Sequence, residues 1–281
     1  MVKIMIDSAC DIGMQEAENL GITMVPMNIM IGEEEYYDGV NLSPTEFYEK
    51  LIENTVLPKT SLVNAFRWEE SIQKVLGEED ELILITISSK LSGTYKSACD
   101  AAEKFGGRVH VIDSYNAAVG ERLLCLYALE LVKQGLSTKE IVSLLDEKKK
   151  KIKVIALVGT LEYLKKGGRI SSAVAFAGEL LSVKPVIGVV DGEVKVLGKA
   201  LGSKKGNNLL NKLIQESNGI DFDMPFGTLW SGLSTVMLDK YIQDSASLWQ
   251  DSTDAMPRYQ LGATIGTHVG PGAVGFAFFE K

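Results

Sequence analysis

The chain has 281 residues, 46% of them hydrophobic, which is enough to bury one large core or two smaller ones. Its formal net charge of −8 argues against general binding to nucleic acid or anionic lipid, because those ligands require a basic surface. Cys10, Cys99 and Cys125 stand far apart, and such sparse, odd cysteines are typical of a reducing compartment. No apolar run approaches the roughly 18 residues of a membrane span. Asp7 and Asp11 interrupt the apolar N-terminus, which argues against a secretion signal. We therefore expect a soluble cytoplasmic protein.

The first half alternates short apolar runs with amphipathic helical patterns. Strands are predicted over residues 2–7, 22–31, 81–87 and 108–113, and helices over residues 13–20, 43–52, 66–76, 93–105, 117–133 and 138–150. Pro44 stands at a first helical position, and Ser137 with Glu140 forms a capping box, so both helix starts have local support. Pro26 indicates an edge or a bulge within the second strand. This alternation predicts an α/β fold with a mostly parallel sheet.

The second half has a different pattern, with consecutive strands. Strands are predicted over residues 153–159 and 185–198 and twice within 258–280, and helices over 203–216 and 234–246. Asp191-Gly192 divides the second of these runs into a hairpin. We therefore predict two domains, an N-terminal α/β domain over residues 1–157 and a C-terminal α+β domain over residues 158–281. The boundary rests on the change of pattern, since no linker marks it.

Three polar segments, each predicted to be a loop, concentrate hydroxyl groups, backbone amides and charge, and a helix is predicted after the third. They cover residues 59–61, 88–95 and 167–171. The middle segment follows a core strand and begins a helix, where open α/β sheets bind ligands and helix N-termini attract anions. Ser92 there is equally suited to capping the helix, and the two roles are compatible.

Two ionisable side chains are further candidates for a binding site. Arg169 suits a carboxylate ligand, although a surface cation is an equal alternative. His268 lies in the glycine-rich run 264–275, predicted to be a loop between the last two strands. Another group can approach closely there, and a purely structural histidine is the alternative. His110 falls inside a strand pattern and is interpreted as structural. The lysine run 148–153 is interpreted as a solvated helix end, with a docking patch for an anionic partner as the alternative.

The common catalytic motifs are missing or incomplete. Residues 270–275 match GxGxxG, but only six residues follow, so no dinucleotide-binding helix can form. The sequence has neither a P-loop nor a GxSxG elbow, and its two histidines lack metal-site spacing. A triad of Ser92, His268 and Asp113 can be drawn, which leaves a serine hydrolase or acyltransferase as an alternative function. A phosphate or nucleotide sensor at the helix N-terminus is a third reading.

Taken in order, the polar segments and their neighbours resemble the DegV family of bacterial fatty-acid-binding proteins. The similar segments are IDSACDI at 6–12, MVPMNIMIGEEEYYDGV at 24–40, KTS at 59–61, SSKLSGTYKSA at 88–98, VIDS at 111–114, LEYLKKGGRIS at 161–171 and IGTHVGPGAVG at 265–275. One departure follows KTS, where Leu62-Val63-Asn64 stands in place of the usual Gln-Pro. This difference concerns the wall of the expected pocket, not its hydroxyl groups.

The resemblance implies a two-domain protein that buries one long-chain fatty acid and needs neither a metal nor a cofactor of its own. It implies a network around the fatty-acid carboxylate made by Thr60, Ser61, Ser92, Gly93, Thr94, Arg169 and His268. Some members present the carboxylate to a separate fatty acid kinase, and the acyl phosphate then enters phospholipid synthesis. The expected role is therefore that of a lipid-binding protein and not an enzyme, with a kinase subunit as partner, no nucleic acid and at most transient membrane contact.

Overall fold

A computed structural model of the chain describes residues 1–170, 183–249 and 255–281. Its strands are β1 (Val2–Asp7), β2 (Thr23–Val25), β3 (Asn28–Ile31), β4 (Glu34–Tyr37), β5 (Lys59–Ser61), β6 (Glu81–Thr86), β7 (Val109–Asp113), β8 (Ile152–Leu157), β9 (Val183–Val190), β10 (Glu193–Leu201), β11 (Gly227–Trp230), β12 (Arg258–Gln260) and β13 (Val274–Phe279). Its helices are α1 (Met14–Leu20), α2 (Pro44–Glu53), α3 (Ala65–Val75), α4 (Thr94–Ala102), α5 (Val119–Lys133), α6 (Thr138–Lys148), α7 (Glu162–Lys166), α8 (Gly202–Gln215), α9 (Val236–Asp244) and α10 (Ala263–Val269).

The first sheet is parallel throughout, in the order β2-β1-β6-β7. Its central strands are nearly continuous apolar runs because helices cover both faces, and every residue of β6 after Glu81 is buried. The carboxyl ends of β1, β6 and β7 lie side by side, with Ile6 opposite Ile85 and Thr86 opposite Asp113. The α/β prediction for the first half is confirmed.

The second sheet is mixed, in the order β10-β9-β8-β13-β11-β12. The predicted hairpin joins β9 and β10, and Asp191 and Gly192 both have the positive φ of a tight hairpin turn. Strand β8 belongs to this sheet, so the change of sheet falls ahead of Ile152. The division of the chain into domains at residues 157 and 158 stays a prediction.

A third, antiparallel sheet of β4, β3 and β5 corrects two expectations. The single strand predicted over residues 22–31 is two strands, because β2 pairs in the parallel sheet and β3 in the antiparallel one. The chain changes sheets between them at Pro26, which has no N–H to donate to a ladder. Residues 59–61, expected to be a loop, form β5 and place Thr60 opposite Ile29.

The segment around His268 was also assigned wrongly. We expected a loop between two strands, and the structure has strands β12 and β13 with helix α10 between them. The sequence carries no local N-cap signal here, because the N-cap residue is Gly262, which has no side chain to accept a hydrogen bond. The helix expected after residues 167–171 lies outside the described residues.

The main hydrophobic core extends across the parallel and mixed sheets. Helix α5 packs against β1 and β6 of the first sheet and against β8 and β13 of the second. Buried residues of both sheets belong to the same cluster, including Ile6, Leu84, Val154 and Ala277. The parallel and mixed sheets therefore share one hydrophobic core. Within the described ranges, no helix is long and apolar enough to cross a membrane.

Candidate functional site

A cavity of about 470 Å³ lies between the carboxyl end of the parallel sheet and one side of the mixed sheet. The parallel sheet contributes residues just beyond its strand ends, such as Ile87 and Ala117. The mixed sheet contributes apolar side chains, among them Val154, Ile187 and Leu229. The volume of the cavity is in the usual range for small-molecule sites, and the carboxyl edge of an open α/β sheet is a common place for such sites.

The cavity brings together most of the residues predicted from the sequence. Six of the seven line it: Thr60, Ser61, Ser92, Gly93, Arg169 and His268. Thr94 is the exception, because its side chain is buried behind Ser92 and does not reach the cavity wall. The three polar segments, far apart in the chain, therefore meet at one wall.

Thr60 and His268 form a contact between distant parts of the chain. Their Oγ1 and Nε2 atoms are 3.0 Å apart, joining β5 to the last turn of α10 across 208 residues of sequence. Burial lowers the pKa of His268 to about 4, and the positive charge of Arg169 acts in the same direction. The imidazole is therefore neutral near pH 7. Its Nδ1 atom is buried and has no hydrogen-bond partner in the part of the chain that the structure describes.

The Ser92 hydroxyl lies at the start of α4 and at the cavity wall, one residue ahead of the N-cap residue Gly93, which has no side chain to cap the helix. The Ser92 Oγ accepts a hydrogen bond from the backbone N–H of Thr94 at 3.2 Å, at the start of α4. It also lies 2.9 Å from the Thr94 Oγ1 and lines the cavity. Thr94 therefore orients the serine hydroxyl from behind.

Arg169 is held by the backbone on both sides and is not a free surface cation. Its Nε donates to the carbonyl of Leu91 at 3.2 Å and its Nη1 to the carbonyl of Gly167 at 2.6 Å. Gly168 turns the chain from α7 towards the cavity. Its φ of +70° is a backbone conformation in which a residue with a β-carbon would be strained. The guanidinium thereby links the serine segment to the glycine turn.

Close packing fixes the position of α10 on two sides. A β-carbon on Gly167 would lie 2.2 Å from the Nδ1 of His268. A β-carbon on Gly266 would lie 2.5 Å from Phe47 and 2.7 Å from the hydroxyl oxygen of Tyr48. The imidazole therefore occupies space that only a glycine at position 167 leaves open. Sequence reasoning noted the glycines but not these contacts, since they depend on helices from separate segments.

Comparison with known protein families gives a match over the whole chain. A family model described as "Uncharacterised protein, DegV family" matches residues 1–281. The chain belongs to the DegV family. A DegV domain-containing protein of Caldanaerobacter subterraneus is 34% identical over 100% of this chain and 99% of its own length.

Solved structures of DegV proteins have the same fold. A DegV family protein from Thermus thermophilus, described by its fatty acid binding, has a TM-score of 0.87 at 31% identity and covers 100% of this chain and 99% of its own. DegV of Bacillus subtilis, described as a fatty acid binding protein, has a TM-score of 0.83 at 28% identity, with 100% and 99% coverage. The α/β fold expected from the resemblance is confirmed.

The hydrogen bonds of this DegV chain do not assemble the Ser92–His268–Asp113 triad. Asp113 accepts from the backbone N–H groups of Ser89 and Tyr115, at 3.2 and 2.9 Å. His268 contacts Thr60, while the Ser92 hydroxyl contacts Thr94. A charge-relay arrangement requires the imidazole to bridge the serine and the carboxylate. The geometry gives this arrangement no support.

The lysine run of the DegV chain is largely engaged with neighbours. Lys149 pairs with Asp146 at 2.7 Å, and Lys153 pairs with Glu280 at 3.3 Å. The Lys151 ammonium donates to the carbonyl of Lys281 at 3.1 Å. These contacts agree with a helix end joined to the C-terminus.

Across the described ranges, no group of His, Cys, Asp or Glu side chains has the arrangement of a metal site.

Proposed function

We propose that this protein binds one long-chain fatty acid, with its tail in the cavity and its carboxylate at the polar wall. The observation that carries the proposal is the convergence of Thr60, Ser92, Arg169 and His268 on one side of a mostly apolar cavity. The Thermus and Bacillus proteins of the same fold, both described as binding fatty acid, support it.

The apolar part of the cavity matches the chemistry of an acyl tail. Removing about fifteen methylenes from water at roughly 0.8 kcal/mol each gives a gross gain of about 12 kcal/mol. Lost motional freedom and ordering of the tail reduce that gain. Ala117 and Ala156 are small and line the cavity together with Val154 and Ile187, so the walls leave room for methylenes.

The polar wall matches the chemistry of a carboxylate. A buried anion is costly unless hydrogen bonds and an opposite charge compensate for its lost hydration. The Arg169 guanidinium supplies the charge, and the hydroxyl groups of Thr60, Ser61 and Ser92 are hydrogen-bond donors. Gly93 is the N-cap residue of α4, whose N-terminal N–H groups also favour an anion.

We further propose that a separate fatty acid kinase receives the bound carboxylate. Ser61 and Gly93 are exposed and also line the cavity, so the polar wall reaches the surface where a partner's active site can approach. Mixing the loaded protein with a candidate kinase and ATP, then trapping acyl phosphate with hydroxylamine, tests this step. The three free cysteines of this chain support the proposal that the protein is located in the cytoplasm.

Denaturing extraction of the purified protein, followed by mass spectrometry, tests the binding proposal. We expect recovery of long-chain fatty acid at about one molecule per chain, and uptake of added oleate by delipidated protein. Absence of both would contradict the proposal. Intact mass under denaturing conditions separates it from the hydrolase alternative, which requires a covalent acyl group on Ser92 that Ser92→Ala abolishes. Displacement of oleate by phosphate or nucleotide would instead favour the sensor alternative.

Fatty-acid binding is expected to be coupled to proton uptake at His268. The pKa of His268 in the free protein is about 4, and a carboxylate bound beside it raises that pKa. The complex then holds more protons than the free protein, so affinity rises as the pH falls from 7 towards 5. Calorimetry in two buffers of different ionisation enthalpy measures the uptake. His268→Gln is the control, because it removes this proton but not the titration of the fatty acid itself. Equal proton uptake by the two proteins would contradict the assignment.

A further inference from the structure

Two buried carboxylates from the N-terminal part of the chain hold the start of helix α10. The Asp38 Oδ1 accepts from the N–H of Ala263 at 2.9 Å, and its Oδ2 accepts from the N–H of Thr264 at 3.1 Å. The Asp11 Oδ1 accepts from the N–H of Gly262 at 2.7 Å. Three consecutive N–H groups at this helix start are therefore satisfied by side chains more than 200 residues away in sequence.

These carboxylates replace the capping that the local sequence lacks. Gly262 has no side chain, so the first N–H groups of α10 would otherwise be buried without partners. Burial raises the pKa of both Asp38 and Asp11, and the hydrogen bonds that they accept from the start of α10 act in the opposite direction. Ser8 holds Asp38 in place by donating to its Oδ2 at 3.1 Å. The Asp38 side chain is thus held between Ser8 and the start of α10.

The position of α10 decides whether His268 reaches the site. His268 lies in the last turn of this seven-residue helix, five residues after Ala263. The tight contacts at Gly266 and Gly167 leave the helix no room to slide without a clash. A tilt at the N-terminus therefore changes the contact between the imidazole and Thr60 at the other end.

We propose that Asp38 and Asp11 are positioning residues, which fix α10 so that the His268 imidazole meets Thr60 and faces the bound carboxylate. Neither residue lines the cavity, and both act through the helix. The effect on ligand affinity rests on the proposed function. The effect on His268 does not, because it concerns the free protein.

Asp38→Asn is the first test, with the His268 titration followed by NMR in the absence of ligand. An amide keeps one acceptor oxygen but turns an N–H donor towards a backbone N–H, so at least one contact is lost. As α10 loosens and water reaches the imidazole, we expect its pKa to move from about 4 towards 6.5. Oleate affinity is expected to fall about tenfold. Leu145→Ala, which removes a buried side chain in α6, is the control for general destabilisation.

A pair of substitutions at Asp11 keeps the test decisive if Asp38→Asn does not fold. Asp11 has φ 58°, a backbone conformation that glycine and asparagine tolerate. Asp11→Gly removes the acceptor for Gly262, whereas Asp11→Asn keeps an oxygen there. We expect the shift in the His268 pKa with the glycine variant and its absence with the asparagine variant.

The outcomes separate this inference from the proposed function. Folded Asp38→Asn and Asp11→Gly proteins whose His268 titrates as in the wild type would overturn the positioning role. A similar pKa shift in Leu145→Ala would also overturn it, since the effect would then be nonspecific. If the wild type binds no long-chain fatty acid, the proposed function fails, but the His268 titrations still decide the positioning role.

Discussion

Replacing Arg169 by alanine is expected to weaken oleate binding about a hundredfold, because removal of one partner from a desolvated charge pair leaves the other uncompensated. The guanidinium also bridges Leu91 and Gly167, so its loss loosens the wall that carries Ser92. Titration calorimetry or fluorescent fatty-acid displacement measures the change. Arg169→Lys should bind oleate with an affinity between those of the wild type and the alanine variant, since an ammonium keeps the charge but not the planar donor geometry.

Lys149→Ala is the matched control for the loss of a positive charge. Lys149 pairs with Asp146 and lies away from the cavity, so its removal should leave affinity within about twofold of the wild type. Equal affinities in the Arg169 and Lys149 variants would contradict the assignment of Arg169 to the head group. If Arg169 had only a structural role, Arg169→Ala would lower the thermal midpoint without this selective loss of affinity.

Replacing Gly167 by alanine is expected to displace the imidazole of His268 and weaken oleate binding by at least about tenfold. The added β-carbon would lie 2.2 Å from Nδ1 and 3.1 Å from the carbonyl oxygen of Tyr163, so neither neighbour leaves room for it. Stability should fall by about 1–3 kcal/mol from overpacking. Denaturant unfolding and oleate titration measure the two effects separately.

Gly13→Ala is the control for this substitution. Gly13 has φ −75°, and a β-carbon there meets no atom within 4 Å, so this change adds the same methyl group without strain. We expect its oleate affinity to equal that of the wild type and its stability to fall by no more than about 1 kcal/mol, because Gly13 is the N-cap residue of α1 and alanine is a poorer N-cap than glycine. If Gly167→Ala retains full affinity and an unshifted His268 titration, the close contact has no part in binding.

The sequence indicated the polar wall of the site more clearly than its construction. Thr60, Ser92, Arg169 and His268 could be selected because hydroxyl groups, charge and glycines interrupt apolar runs at those positions. Thr94 was selected by the same pattern and instead supports Ser92 from behind. The contacts of Asp38 and Asp11 with the start of α10 were missed, although both residues lie in segments that carried the family resemblance. An acidic residue in a sequence does not show whether it faces water or the end of a distant helix.

By itself, the sequence determined the alternation of strands and helices, the parallel first sheet and the hairpin at Asp191 and Gly192. These features follow from periodicity and turn chemistry, which act over a few neighbouring residues. Only the tertiary structure decided that residues 59–61 form a strand and that His268 lies on a helix. Strand β5 exists through its pairing with β3, and α10 is capped by carboxylates from the other end of the chain. Contacts of that range depend on how the three sheets pack, which no local pattern specifies.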